Sequence, residues 1–210
     1  MIQQIRRSFG KIREVWRAST MRRFGRGAPV PRRIWEAQFA EGVWNYLETE
    51  EEAAHYQEIV SMCSELPESS SLLDVGCGAG VLLKYLRLRL GTSRIRYSGI
   101  DISENAISQL RAFFPEVSCE RHDPETASVP GQFDAIVFNE SLYYFKNPMR
   151  LVHRLVQNNL NPGGILVVSM CEYGAHDQLW HRLERDFPLK AASAVTNGRG
   201  QRWFIKTFGA

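Results

Sequence analysis

The chain has 210 residues, 44% of them hydrophobic and 23% charged, as in an ordinary soluble globular protein, and its apolar runs fall short of the ~20 residues a membrane span needs. Cys63, Cys77, Cys119 and Cys171 are scattered, with no paired spacing and no histidine at ligand distance, which implies reduced thiols, a cytoplasmic setting and no metal site. The net charge of +3 is uneven: residues 1–34 hold ten Lys or Arg against Glu14 alone, and the remainder carries 16 basic and 22 acidic residues.

Met1-Ile2-Gln3-Gln4 runs into charge rather than an apolar core, so no signal peptide is expected. Ile2, Ile5, Phe9, Ile12 and Trp16 then recur at spacings of three and four, on one face of a helix whose remaining surface is rich in arginine. Such a helix packs its stripe on the domain or on a second copy of the chain, or it lies on an anionic membrane through residues 1–26. Binding to nucleic acid ranks last of the three. Arg26-Gly27-Ala28-Pro29-Val30-Pro31 breaks the helix. Arm and linker thus occupy residues 1–34, and a globular domain residues 35–210.

Ile34 to Leu47 is crowded with aromatics: Trp35, Phe39, Trp44 and Tyr46. Rings in this place either cap a cleft or fill the core, and core is the expectation. The acidic run Glu48–Glu52 and the apolar residues after it, Tyr56, Ile59, Val60 and Met62 among them, predict a helix that ends at Pro67-Glu68-Ser69-Ser70.

Leu72, Leu73 and Val75 form a short apolar run that reads as a buried parallel strand, and Val81 to Leu86 restores a helical rhythm. Between them lie Gly76, Gly78 and Gly80, whose missing side chains let the backbone approach a bulky ligand. A dinucleotide fingerprint needs a small residue at position 81, where this chain has Val81, and its pyrophosphate would be repelled by Asp74. Asp74-x-Gly76-x-Gly78-x-Gly80 instead resembles motif I of the class I S-adenosylmethionine-dependent methyltransferases. The resemblance implies a Rossmann-like α/β fold: a seven-stranded, mostly parallel sheet with helices on both faces and a C-terminal antiparallel hairpin. It also implies that Asp74, Gly76, Cys77, Gly78 and Gly80 lie under the methionine half of S-adenosyl-L-methionine, which departs as S-adenosyl-L-homocysteine.

The second strand, Ile95 to Ile102, ends in Asp101, about twenty residues past the turn, where a carboxylate can accept both ribose hydroxyls. Ile102 neighbours the same nucleoside, and Ser103 is a plausible N-cap for the next helix. Val117 to Arg121 predicts a weak third strand before His122 and Asp123; by resemblance, Asp123 accepts from the adenine amino group. Gln132 to Phe138 predicts a strong fourth strand, whose following loop faces the sulfonium and the acceptor. Asn139 and Glu140 are placed to steady the methionine portion or the acceptor, and Tyr143 and Tyr144 to wall the acceptor pocket. A helix over 151–160 then leads through Asn161-Pro162-Gly163-Gly164 to a fifth strand at 165–170. Two alternating runs, 191–196 and 203–208, flank a turn at Asn197-Gly198-Arg199-Gly200, whose Asn-Gly pair signals a hairpin.

A hydroxyl acceptor gains from a general base. Glu140, His176, Asp177 and His122 are candidates, with Tyr143 as an outsider; Glu140, His176 and Tyr143 are singled out as catalytic. Asn139-Glu140-Ser141-Leu142 departs from the loop of enzymes that methylate planar nitrogens, which lowers the nucleic-acid reading. The Phe133–Phe145 segment and Trp44-Asn45-Tyr46-Leu47 resemble small bacterial methyltransferases of glycan or lipid-linked saccharide modification, and are similar to nodulation-factor N-methyltransferases. The expectation is methyl transfer to a hydroxyl of a small molecule or saccharide, such as a cell-surface glycan precursor, by a cytoplasmic enzyme peripheral to the inner face of the membrane. The alternatives are an amino group of a small molecule or amino sugar, then RNA, then a catalytically silent cofactor-binding protein.

Overall fold

A computed structural model describes residues 29–209; the basic helix expected at residues 1–26 lies outside them. Seven strands form one sheet: β1 (Ser70–Val75), β2 (Ile95–Asp101), β3 (Ser118–Arg121), β4 (Phe133–Asn139), β5 (Leu160–Cys171), β6 (Leu189–Thr196) and β7 (Arg202–Gly209). Their order is β3-β2-β1-β4-β5-β7-β6. The first five pair in parallel, and β7 lies antiparallel between β5 and β6. The helices are α1 (Arg32–Ala40), α2 (Ala53–Ser64), α3 (Val81–Leu90), α4 (Glu104–Phe113), α5 (Pro148–Asn159) and α6 (Asp177–Asp186). Helix α1 begins inside the stretch expected as linker.

Alternation along the strands divides the core in two. Leu73, Val75, Ile136 and Phe138 point to one face, against Val152 and Leu155 of α5 and Leu179 and Leu183 of α6. Leu72, Ala135 and Val137 point to the other, against Ile59 and Cys63 of α2 and Leu82 and Leu86 of α3. Strands covered on both faces read as continuous apolar runs, which is why β1 and β4 stand out in the sequence. Each fully buried Leu or Ile contributes ~1.5–3 kcal/mol.

One turn differs from expectation and one agrees with it. Strand β5 begins at Leu160, opposite Phe133, and the ladder shifts before Ile165 meets Ala135. Pro-Gly-Gly is therefore an irregularity within the strand. Gly164 is required there because a Cβ would stand 2.9 Å from the Asp134 carbonyl oxygen. In the terminal hairpin the last pair is Thr196 with Arg202, so the turn occupies residues 197–201, as the spacing of the two runs predicts. Asn197 Oδ1 accepts from the Arg199 and Gln201 N–H groups at 2.9 and 3.0 Å, and the left-handed residue is Gly200 rather than Gly198. The side chain of Asn197 organises the turn.

The chain winds from β1 outward to β3, then crosses back to β4 on the other side of β1. Loops leaving β1 and β4 at their carboxyl ends therefore diverge and open a crevice.

Candidate active site

A cavity of about 500 Å³ opens at that crevice. Its floor is the turn after β1, where Gly76 has φ 81°. A Cβ on Gly76 would lie 2.6 Å from Ser141 Cβ, and the Ser141 hydroxyl donates to the Val75 carbonyl at 2.5 Å. The glycine thus lets the β1 turn press against the loop after β4, a protein contact that sequence reasoning had assigned to ligand clearance. Gly78 lies on the cavity wall. Gly80, expected beside the cofactor, is instead the left-handed residue that starts α3, packed on Leu110 and absent from the wall. Cys77 lines the cavity with a buried thiol that burial holds well above its usual pKa.

Asp74, Asp101 and Asp123 all line the cavity, at the ends of β1 and β2 and just beyond β3. Asp74 is 1% exposed, and its Oδ2 accepts from the Tyr97 hydroxyl at 2.7 Å. Burial, reinforced by the Asp101 charge, outweighs that bond and raises its pKa to about 7. Asp101 accepts from the Ser103 N–H at 2.8 Å and the Gly78 N–H at 3.0 Å. Burial nonetheless raises its pKa to about 6, against those two bonds. Asp123 accepts from the Glu125 N–H at 3.0 Å, and Ile102 also lies on the wall.

Asp74 Oδ1 and Asn139 Oδ1 are buried acceptors that meet no hydrogen-bond donor among the described residues. Both belong to cavity-lining residues. A buried acceptor left alone costs ~1–3 kcal/mol, so the wall calls for a donor from outside the chain. The ammonium group of S-adenosylmethionine fits that need, and the Asp101 carboxylate fits a ribose. Among the described residues no group of three or more His, Cys, Asp or Glu could hold a metal ion.

The opposite wall is aromatic, and here the core expectation is corrected. Trp35, Phe39, Trp44 and Tyr46 all line the cavity, and of these only Phe39 is buried. Trp35 stacks on Trp44 with ring centroids 5.5 Å apart and meets Tyr144 edge-on at 4.8 Å. The segment is held over the site by Glu36 of α1. Its carboxylate accepts from the Ser103 hydroxyl at 2.7 Å and from the Glu104 and Asn105 N–H groups at 3.1 Å each, capping α4. No signal in the sequence marked Glu36; its partners lie nearly seventy residues away.

The three catalytic candidates form one stack with one member hidden. Glu140 has φ 53°, a strained left-handed value for a non-glycine residue, and accepts from the Tyr143 hydroxyl at 2.7 Å. The Tyr143 ring lies on His176, centroids 4.4 Å apart. His176 is only 2% exposed, pairs through Nδ1 with the Cys171 carbonyl at 2.9 Å, and does not line the cavity. The structure places it behind Tyr143 as support, because the turn after β5 folds the ring inward. Asp177 is also off the wall. His122 is on it, beside Asp123, with its backbone N–H donating to the Asp101 carbonyl at 2.8 Å. Glu52, the last residue of an acidic run that the sequence assigned only to a helix, is a further residue of the wall; two 3-10 turns rotate it into the cavity.

A family model described as "Methyltransferase domain" matches residues 46–206. A curated relative, dTDP-3-amino-3,4,6-trideoxy-alpha-D-glucopyranose N,N-dimethyltransferase of Streptomyces venezuelae, is 30% identical over 109 residues, 50% of this chain and 44% of that protein. The chain's matches span about half the length of such curated relatives. Among solved structures, the N-methyltransferase NodS from Bradyrhizobium japonicum WM9 in complex with S-adenosyl-L-homocysteine superposes with TM-score 0.58 at 20% identity, over 81% of this chain and 97% of that one. The (4+2)-cyclase SpnF superposes with TM-score 0.67 at 18% identity, over 87% of this chain and 98% of that one. At these identities the two structures share the fold.

Proposed function

The chain belongs to the class I S-adenosylmethionine-dependent methyltransferases, and from that premise we propose that it methylates a small molecule that is neutral or cationic. The charge of the cavity wall carries this reading. Glu52, Asp74, Asp101, Asp123, Glu125 and Glu140 line it, and among the described residues no Lys or Arg does. A phosphate brought to ~4 Å from one such carboxylate is repelled by about 4 kcal/mol at an effective dielectric of ~20. Phosphorylated acceptors and RNA are disfavoured by the same physics.

Bound S-adenosylmethionine supplies an electrophilic methyl group and leaves as S-adenosylhomocysteine. The chain's part is to hold and to orient. Asp101 and Asp123 take the nucleoside, Asp74 and Asn139 the methionine end, and the aromatic wall excludes water from the acceptor. For a hydroxyl acceptor, such as that of a saccharide, Glu140 is the wall carboxylate placed to take the proton, with Tyr143 fixing its position. An amino acceptor needs only to lose its proton before attack. Likeness to an aminosugar N,N-dimethyltransferase and to NodS supports the amino reading. We also place the enzyme in the cytoplasm, with residues 1–26 docking on an anionic membrane face.

Titration calorimetry with S-adenosylmethionine, S-adenosylhomocysteine and NAD, followed by assay of S-adenosylhomocysteine release from matched neutral, amino and phosphorylated acceptors, tests the reading. Binding of the adenosyl pair and turnover confined to uncharged or amino compounds is expected. Turnover of the phosphorylated set alone would refute the acceptor class. Cofactor binding with no turnover on any acceptor would favour a non-methylating use of the fold, of the kind the cyclase illustrates.

A further inference from the structure

Among the described residues, Glu52 is a carboxylate without a cationic partner. It is 7% exposed and lines the cavity, and no hydrogen-bond donor or Lys or Arg reaches its carboxylate among those residues. The basic group they bring to it is His55, with Nδ1 at 4.0 Å from Oε2. That ring is fully buried and stacked on Trp203 at 4.8 Å, and burial holds its pKa down at about 3, so it stays neutral. Arg199 is turned away to Glu51, at 2.6 Å. Burial, then the Glu51 charge, pushes the Glu52 carboxyl up, with Arg199 acting weakly the other way. An ionised carboxylate buried without a cation costs several kcal/mol.

Glu52 also stands at the acceptor's end. The wall around it is continued by Cys171 at the end of β5 and Trp203 at the start of β7, across β4 from the glycine turn. Trp44 and Tyr46 line the same cavity as Glu52, with their ring centroids 6.0 Å apart. Rings that share a cavity with a carboxylate suit an ammonium group, through cation–π attraction and a charge-assisted hydrogen bond together.

We propose that Glu52, backed by Trp44 and Tyr46, is an ammonium-binding subsite, which makes the acceptor a primary or secondary amine. The inference rests on the methyltransferase reading above and narrows its acceptor. The bound ammonium gives one proton to the Glu52 carboxylate and becomes a neutral amine. Its lone pair forms the N–C bond as the C–S bonding pair withdraws to sulfur; the methylated nitrogen carries the charge the sulfonium loses, and Glu52 returns its proton to water.

The test is calorimetry on the S-adenosylhomocysteine-loaded protein with 3,3-dimethylbutan-1-amine, an ammonium at neutral pH, and with 3,3-dimethylbutan-1-ol, its uncharged analogue of the same shape. The amine is expected to bind at least roughly tenfold tighter than the alcohol. Glu52→Gln should bring the two within about twofold of each other while leaving S-adenosylhomocysteine affinity within about twofold. Trp44→Leu, a substitution on the half-exposed wall, should cost the amine roughly threefold or more and spare the alcohol. Equal binding of the two probes, or no binding of the amine, would overturn the subsite. So would a Glu52→Gln protein that loses cofactor affinity instead, since Glu52 would then serve the methionine ammonium. Failure of the wild-type chain to bind either adenosyl compound would overturn the methyltransferase reading, a separate outcome.

Discussion

Cofactor affinity is expected to fall as pH is lowered, and Asp74→Asn should remove most of that dependence. With pKa values raised to about 7 and about 6, Asp74 and Asp101 are partly protonated near neutrality before ligand arrives. A cation beside Asp74 and ribose hydroxyls beside Asp101 stabilise the ionised forms, so binding expels protons. Between pH 8 and pH 6 the two sites together weaken S-adenosylmethionine binding by ~20-fold, of which ~10-fold belongs to Asp74 and about twofold to Asp101. At pH 8, Asp74→Asn should lose ~10–30-fold in affinity, the worth of one charge-assisted bond, and wild type and variant should converge toward pH 6. Calorimetry in two buffers of different ionisation enthalpy counts the protons released. The same shifts carry a sign for stability. The folded chain holds protons that the unfolded chain has lost between pH ~4 and ~7, so the ligand-free protein should lose stability as pH rises through that window. Affinity that stays flat from pH 6 to 8, or a variant that keeps the full dependence, would refute the account of the turn.

Two further outcomes follow from the geometry. Gly76→Ala places a Cβ within 2.6 Å of Ser141 Cβ at a left-handed φ of 81°, and should cost ~2–4 kcal/mol, lowering the thermal midpoint by about 5–15 °C. Adding Ser141→Gly should recover ~1 kcal/mol or more, and strict additivity in that double-mutant cycle would show that the two loops do not meet as described. Truncation after residue 28 keeps Pro29 and Val30, which line the cavity, and should leave cofactor affinity within about twofold while abolishing association with anionic liposomes. Unchanged liposome binding by the truncated protein would remove the arm as the membrane contact.

Most of the fold was legible in the chain. The strand, glycine turn and helix at 70–90, the acid closing β2, and the apolar run of β4 are local patterns, and a parallel sheet covered on both faces leaves them undiluted. The floor of the cavity could be read for the same reason: Asp74, Gly76, Gly78 and Asp101 sit at fixed offsets from strand ends, and strand ends define the crevice. What the amino-acid order left open was the direction in which side chains away from regular elements point. Trp35, Trp44 and Tyr46 looked like core until the Glu36 cap on α4 swung their segment over the crevice. His176 looked like an exposed base until the turn after β5 buried it behind Tyr143. Glu52 belonged to a run read only as helix, and two 3-10 turns carry it inside. Sequence alone determined the sheet, the place of the glycine turn on it and the charge of the arm, because each is written in neighbouring residues. The acceptor wall was decided only by tertiary structure, because it is assembled from contacts between α1, α4, the loop after β4 and the ends of β5 and β7, and no local pattern encodes how such distant pieces meet.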